Sequence, residues 1–593
     1  MDNIIQQQLD DIIAELRNSG NAVSDPVAKL MVTTLIHQSQ KISDEISRIP
    51  QCIVSRLSSC FIPRDKIKAN PAVCLVMPSL KTKRDLSPHY IAEGASFSFK
   101  IDNKQSLSYY PIFKSRLLPI VKTHLLKPQG LYSGGTYTPI QYGRKGQVWL
   151  GVEIPTEIES LENVFFFLKG GDGLLPKRVS LNNGDCELTF TVASNIEDIP
   201  MAEPFDSQQM SPENLNIISS WKRAITGGDG NTLLTITDPL TDRDAFKGRP
   251  YPKAFQQFLE SSDLDKFENN TLWLLFDFGA DYDVPDSLEI IPNVIPVANV
   301  NVNSATLTQS SPIAKLTKND GSYFLSLLET TLSSQRQGFS KNAEEVMIRD
   351  FDASCYNPDE LFTDVRNLYN RFIDDYHAFL GYHGLKDGET IKSLRELMNK
   401  IGKGVKDQEV ENKFDTGTYA MRNVNLAGSI SSIKVSYLTT SGKTGNLPKE
   451  GNSLENKKDA AIEKDIRVIT SASCGQDSAT PDQMYEMLRY YTLTNDRLYT
   501  KMDIDAFLRF QLLKVFGKEE MKRLSFNMNI QGAPGLTKLQ RGLYIGIHFK
   551  DKKNYQKALS INLNEQLKAG IEDRSCISMP ILISLFSDDI NPV

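Results

Sequence analysis

Between about residue 70 and residue 195, apolar side chains recur at every second position, and few folds accept that period. Val73, Leu75 and Met77 alternate, as do Phe97, Phe99 and Ile101 against serine and lysine. Val148, Leu150, Val152 and Ile154 fall on the face opposite Trp149 and Glu153, and Leu188, Phe190 and Val192 repeat the form. Successive side chains of a strand point to opposite faces, so this spacing predicts strands with one buried face and hence antiparallel sheets. Gly134-Gly135 and Gly170-Gly171-Asp172-Gly173 separate the runs as turns.

A different period opens the chain. Ile5, Leu9, Ile12, Ile13 and Leu16 form one apolar stripe at helical spacing, ended by Ser19-Gly20-Asn21. Asp25-Pro26 starts a second helix: the aspartate is an N-cap acceptor, and proline at N1 loses an N–H that has no partner there anyway. Leu35, Ile42 and Ile49 then follow at seven-residue spacing. These stripes either pack on their own domain or bundle with a partner chain.

Residues 200–250 are polar and irregular, with Pro204, Pro212 and a glycine-rich turn at Gly227-Gly228-Asp229-Gly230. A short helix at Pro252–Leu259 leads to a strand at Leu272–Phe276. Leu288, Ile290 and Ile291 run on into Asn293-Val294-Ile295-Pro296-Val297-Ala298-Asn299. Pro296 has no N–H to donate, which predicts a strand edge or crossover rather than mid-sheet, with both asparagines bonding local backbone. The expected role of the piece is shape, turning a strand from one sheet into another. Ser311-Pro312-Ile313 and Tyr323-Phe324-Leu325 continue as strands.

Asn357-Pro358 with Glu360 reads as a capped helix start, Leu361, Val365, Leu368, Phe372, Tyr376 and Phe379 as its stripe, and Gly381 as its end. Ile391, Leu394, Leu397 and Ile401 mark a returning helix, which makes an antiparallel pair. Residues 440–465 are rich in Lys, Glu, Asn, Gly and Ser and read as a flexible loop and candidate hinge. Beyond them a helix opening at Thr500 with Asp503 as capping acid precedes two strands, a helix and a last strand at Ile581–Phe586. That order predicts a small open sheet with helices on one face.

Chemistry is hard to find. The net charge of −6 over 593 residues argues against a dedicated nucleic-acid surface. No apolar run approaches the roughly 18 residues of a membrane span, and the acidic, amphipathic start reads as no secretory signal. Seven scattered cysteines without a Cys-x-x-Cys, and six histidines, supply no clustered metal ligands, which predicts free thiols in a reducing cytosol. Ser441-Gly442-Lys443-Thr444 follows a strand, but Tyr437 stands where a phosphate loop needs its first glycine. Asp277-Phe278-Gly279 lacks the other kinase motifs and reads as a strand end and turn. No Gly-x-Ser-x-Gly or His-Glu-x-x-His occurs. The expectation is a chain that is not an enzyme, with no catalytic, cofactor-binding or metal-binding residues, no cofactor and no small-molecule substrate.

Several of these stretches resemble one family. Asp25-Pro26, Gln40-Lys41-Ile42-Ser43-Asp44-Glu45-Ile46, Ile49-Pro50, Phe61-Ile62-Pro63 and Asn70-Pro71 stand in the order of the N-terminal region of the TssF family, a subunit of the bacterial type VI secretion baseplate. Ile91-Ala92-Glu93-Gly94-Ala95-Ser96-Phe97 resembles the step after that family's first strand, and Asn293–Asn299 its Asn-x-(Val/Ile)-Pro-Val-x-Asn signature. The C-terminal entry at Thr500–Asp503 resembles baseplate proteins of phage. Where the family opens with paired tyrosines this chain has Gln6-Gln7-Gln8, which makes it a divergent branch.

The resemblance implies a non-enzymatic wedge subunit of a contractile injection machine, working in the cytoplasm. Its implied partners are TssG, a second TssF copy, TssK, TssE and the spike hub, with no nucleic acid and no membrane insertion. The expected fold is α+β and multidomain: an N-terminal helical region at 1–66, β-rich domains at 67–200 and 201–350, a helical hairpin at 351–410 and a C-terminal α+β domain at 411–593. The expected interface is the stripe Leu9, Ile12, Leu16, Leu35, Ile42 and Ile49, and the structural motif residues are Asp25, Pro26, Asn293, Pro296 and Asn299. Two rival readings stand beside it: a wedge protein of a contractile phage, and a carbohydrate-binding or hydrolytic β-rich protein.

Overall fold

In the computed structural model the described residues are 34 and 53–587, apart from 207–224, 226–229, 238–245, 335–345, 352–357, 407–416, 423–429, 533–540 and shorter stretches. They form an α+β, multidomain protein whose sheets are almost wholly antiparallel. Contacts divide the chain into two units, one of residues 64–349 with 418–478, the other of 1–63, 350–417 and 479–593.

The first unit is built round a closed six-stranded barrel. Its order is Val73–Met77, Ile295–Asn299, Gln105–Pro111, Phe97–Asp102, Ser453–Asn456 and Asp465–Val468, which pairs back on Val73–Met77. Val73, Leu75, Phe97, Leu107, Val297, Leu454, Ile466 and Val468 are buried in its core. A four-stranded sheet lies against this core: Phe165 stacks on Phe113 at 5.8 Å. Its other face, through Phe166, Leu168, Leu234 and Ile290, packs on a seven-stranded sheet whose contribution includes Val148, Leu150, Val152, Leu272 and Phe276. Two further three-stranded sheets enclose a small core of Leu307, Leu316, Leu332, Val346, Ile433 and Val435. Strand pairing thus runs across the boundaries read along the sequence, and the strands after residue 300 pair with 417–440 instead of extending the preceding sheets.

Two expectations are corrected here. Strand Gln147–Glu153 buries both faces, because Phe255, Leu259 and Phe267 cover Trp149 and Trp273 on the side that alternation had assigned to solvent. Gly151 permits this closeness: a Cβ there would lie 2.7 Å from the Trp273 ring. The stretch 440–465 is not a flexible loop but a 3-10 turn at Gly442–Asn446 followed by the barrel strand Ser453–Asn456. Asn456 bonds backbone within it, reaching the carbonyls of Asp459 and Ile462 at 2.6 and 3.2 Å.

In the second unit, helices Pro358–His383 and Glu389–Lys406 pack together. Gly381 does not end the first, which runs two residues further. The stripe inside the pair is also rotated: Ile373, Tyr376 and Leu380 are sheltered while Phe372, Phe379 and Leu397 are exposed. Asn357 and the side chain of Glu360 lie outside the described residues. The C-terminal part has the expected open sheet, Ser525–Gly532, Arg541–Phe549 and Ile581–Ser587, the last pair parallel. Helix Lys501–Phe516 starts with the Thr500/Asp503 capping box, and Pro481–Thr494 with a second box from Thr480 and Gln483.

Candidate functional site

The expected interface residues Leu9, Ile12, Leu16, Leu35, Ile42 and Ile49 lie outside the described residues, as do Asp25 and Pro26. The other three motif residues sit together, where the chain leaves the four-stranded sheet at Glu289–Pro292 and enters the barrel at Ile295–Asn299. Asn293 makes that turn at φ 60°, a left-handed conformation that asparagine tolerates better than branched residues. Its side chain imitates a strand partner: Oδ1 accepts from Leu118 N–H at 2.9 Å and Nδ2 donates to Leu118 carbonyl at 2.8 Å. Asn299 is fully buried, donating to the Ser108 carbonyl at 3.0 Å while Oδ1 accepts from Ser441 N–H at 3.1 Å. Both asparagines therefore bond segments far away in sequence, not local backbone as the spacing suggested.

Pro296 pairs with Leu75 on one side, while on the other the ladder with Gln105–Pro111 begins one residue later, at Val297. The proline thus stands at the crossover from sheet to barrel, one of the two places its missing donor predicts. Its missing donor is accommodated by a handover. Ile112 N–H donates to the Pro296 carbonyl at 3.0 Å, and the Ile112 carbonyl, left without a return bond from proline, accepts from Ala202 N–H at 3.0 Å. The segment at 200–202 takes over where the barrel strand ends.

The groups that resemble active-site chemistry are occupied by such internal work. Around Gly442-Lys443, the N–H groups a phosphate would need are taken by Thr440 Oγ1 and by Asp477 Oδ1, the latter at 2.8 Å from Lys443 N. Asp277 Oδ1 accepts from Gly279 N–H at 2.8 Å, which makes the Asp-Phe-Gly run the strand end and turn expected of it. Lys127 is buried with Nζ donating to the carbonyls of Asp286 and Leu288 and lying over the Tyr132 ring. Burial draws its ammonium below the usual lysine range, against Asp286 and Glu289. Cys74 is wholly buried and its thiol is pushed up to about 12, so it is no nucleophile. His377 and His383 are exposed, and among the described residues no group of ligating side chains could hold a metal ion.

Sequence reasoning missed one constellation. His124 bridges Ser133, with Nδ1 2.9 Å from Oγ, and Glu153, with Nε2 2.6 Å from Oε1. The three types match a nucleophile, base and orienting acid. Their surroundings do not: the histidine is fully buried, the serine and glutamate nearly so, and Phe267 and Trp273 lie against the imidazole at 5.0 and 6.0 Å. The aromatic cover encloses the imidazole, which makes the bridge a packed part of the strand pairing. A groove of about 540 Å³ runs nearby between Met77–Leu80, Leu118–Thr123 and Ile290–Asn293, and its charged lining is only Lys122 and Glu463. The one hint in the sequence was a glutamate closing the mostly apolar run Val148–Val152; His124, in the mixed stretch Lys122–Lys127, gave none.

A buried carboxylate ties 440–465 to the barrel. Asp459, nearly buried, accepts from His89 Nε2 at 3.0 Å, Ala92 N–H at 2.9 Å and Ala461 N–H at 3.0 Å. Burial by itself would raise this carboxyl, but the bonds from Ala92, His89 and Ala461 outweigh it and hold the group below its ordinary 3.8. A depressed carboxylate contributes stability above its unfolded value and loses it as pH falls through the folded value. Asp459→Asn is therefore expected to cost about 1–3 kcal/mol at neutral pH. The gap to wild type should close progressively below the ordinary 3.8. Urea titrations of both proteins at neutral and acid pH check this, and a gap that does not change with pH contradicts it.

No protein-family model matches the chain, and no curated protein matches it. Two solved structures align along nearly the whole length. One, of the type VI secretion system TssK-TssF-TssG baseplate subcomplex, covers 96% of this chain and 99% of its own, with 11% identity and a TM-score of 0.40. The other, the baseplate complex from the type VI secretion system, covers 100% and 98% with 10% identity and a TM-score of 0.34. At those values the question of function rests on the residues. Among the described residues no helix is long and apolar enough to cross a membrane.

Proposed function

We propose that the chain is a structural subunit of a type VI secretion baseplate, a TssF-like wedge protein that assembles with TssG, TssE and TssK around the spike hub. The observation that carries this reading is the run Asn293–Asn299, which resembles the family signature and spends its polar side chains on joining a sheet to a barrel. The N-terminal order of Asp25-Pro26 through Asn70-Pro71 supports the same family. A subunit of this kind works through extended interfaces rather than a pocket. Its partner-facing stripe is Leu9, Ile12, Leu16, Leu35, Ile42 and Ile49, bundled with TssG and a second copy.

Co-expression with TssG and TssK homologues tests the proposal. The expected result is one co-eluting complex, and Leu35→Asp with Ile42→Asp should release TssG without moving the chain's own unfolding transition. A monodisperse chain that ignores TssG and TssK overturns the reading. The contractile-phage alternative predicts binding to phage wedge proteins instead.

A further inference from the structure

We draw no further inference here: the strongest candidate, the groove of about 540 Å³ between Met77–Leu80, Leu118–Thr123 and the edge strand Glu289–Pro292, has only Lys122 and Glu463 as charged lining, and nothing in the structure shows what covers it.

Discussion

Glu153→Ala is expected to destabilise the barrel-containing unit by about 3–5 kcal/mol, the range for removing one partner of a buried ionisable pair. His124 has no solvent to turn to: Ser133 holds Nδ1, Glu153 holds Nε2, and Phe267 and Trp273 close the sides. Without the carboxylate, Nε2 loses its 2.6 Å contact inside an apolar wall. Glu153→Gln keeps an oxygen within reach and should cost less, about 1–2 kcal/mol. Replacing both partners by leucine should restore most of the loss, since a packed apolar pair avoids the desolvation that the polar pair carries. Trp149, Trp221 and Trp273 are the only tryptophans and all fall between residues 64 and 349, so their fluorescence in urea reports this unit alone. A Glu153→Ala loss below about 1 kcal/mol would show that water reaches the imidazole after all.

That pair illustrates what the sequence exposes and what it conceals. Alternation at Val148, Leu150 and Val152 marks a strand correctly, because period two is imposed by the pleat whatever covers the other face. It says nothing of that cover: Phe255, Leu259 and Phe267 arrive from 100 residues on and bury the supposedly wet side. His124 and Glu153 are 29 residues apart and meet only through strand pairing, Lys122↔Glu153 and His124↔Gly151. Capping boxes are different, being local; Thr500 and Asp503 were legible because both halves of the device lie within one turn.

Residues 440–465 failed for the opposite reason. Composition rich in Asn, Lys, Glu and Gly describes a solvated loop and equally a segment whose polar groups are satisfied internally. Here Asn456, Asp459 and the buried Gly445 settle the matter through bonds to backbone, Gly445 accepting from Tyr109 Oη at 2.6 Å. The same ambiguity applied to Asn293 and Asn299, whose type suggested turns and whose partners proved to be distant strands. The helical stripes from Leu9 to Ile49 stay an expectation from periodicity.

Asn293→Ala is expected to cost roughly 2–5 kcal/mol, through two separable effects. Alanine at φ 60° carries about 1–2 kcal/mol of backbone strain. Losing the side chain also orphans the Leu118 N–H, in a nearly inaccessible residue, at about 1–3 kcal/mol for a buried group left unmade, while the Leu118 carbonyl keeps the Ile120 N–H at 3.0 Å. Asn293→Gly isolates the second effect, since glycine adopts this conformation without strain. The difference between the alanine and glycine variants should therefore equal the strain alone. Asn293→Asp keeps the acceptor for Leu118 N–H but turns an oxygen toward the Leu118 carbonyl, so it should be worse than glycine at neutral pH and recover on acidification, when the carboxyl can donate. Tryptophan fluorescence in urea follows all three. Should glycine prove as stable as wild type, the paired bonds to Leu118 do not hold the sheet to the barrel, and the signature run works through its backbone path only.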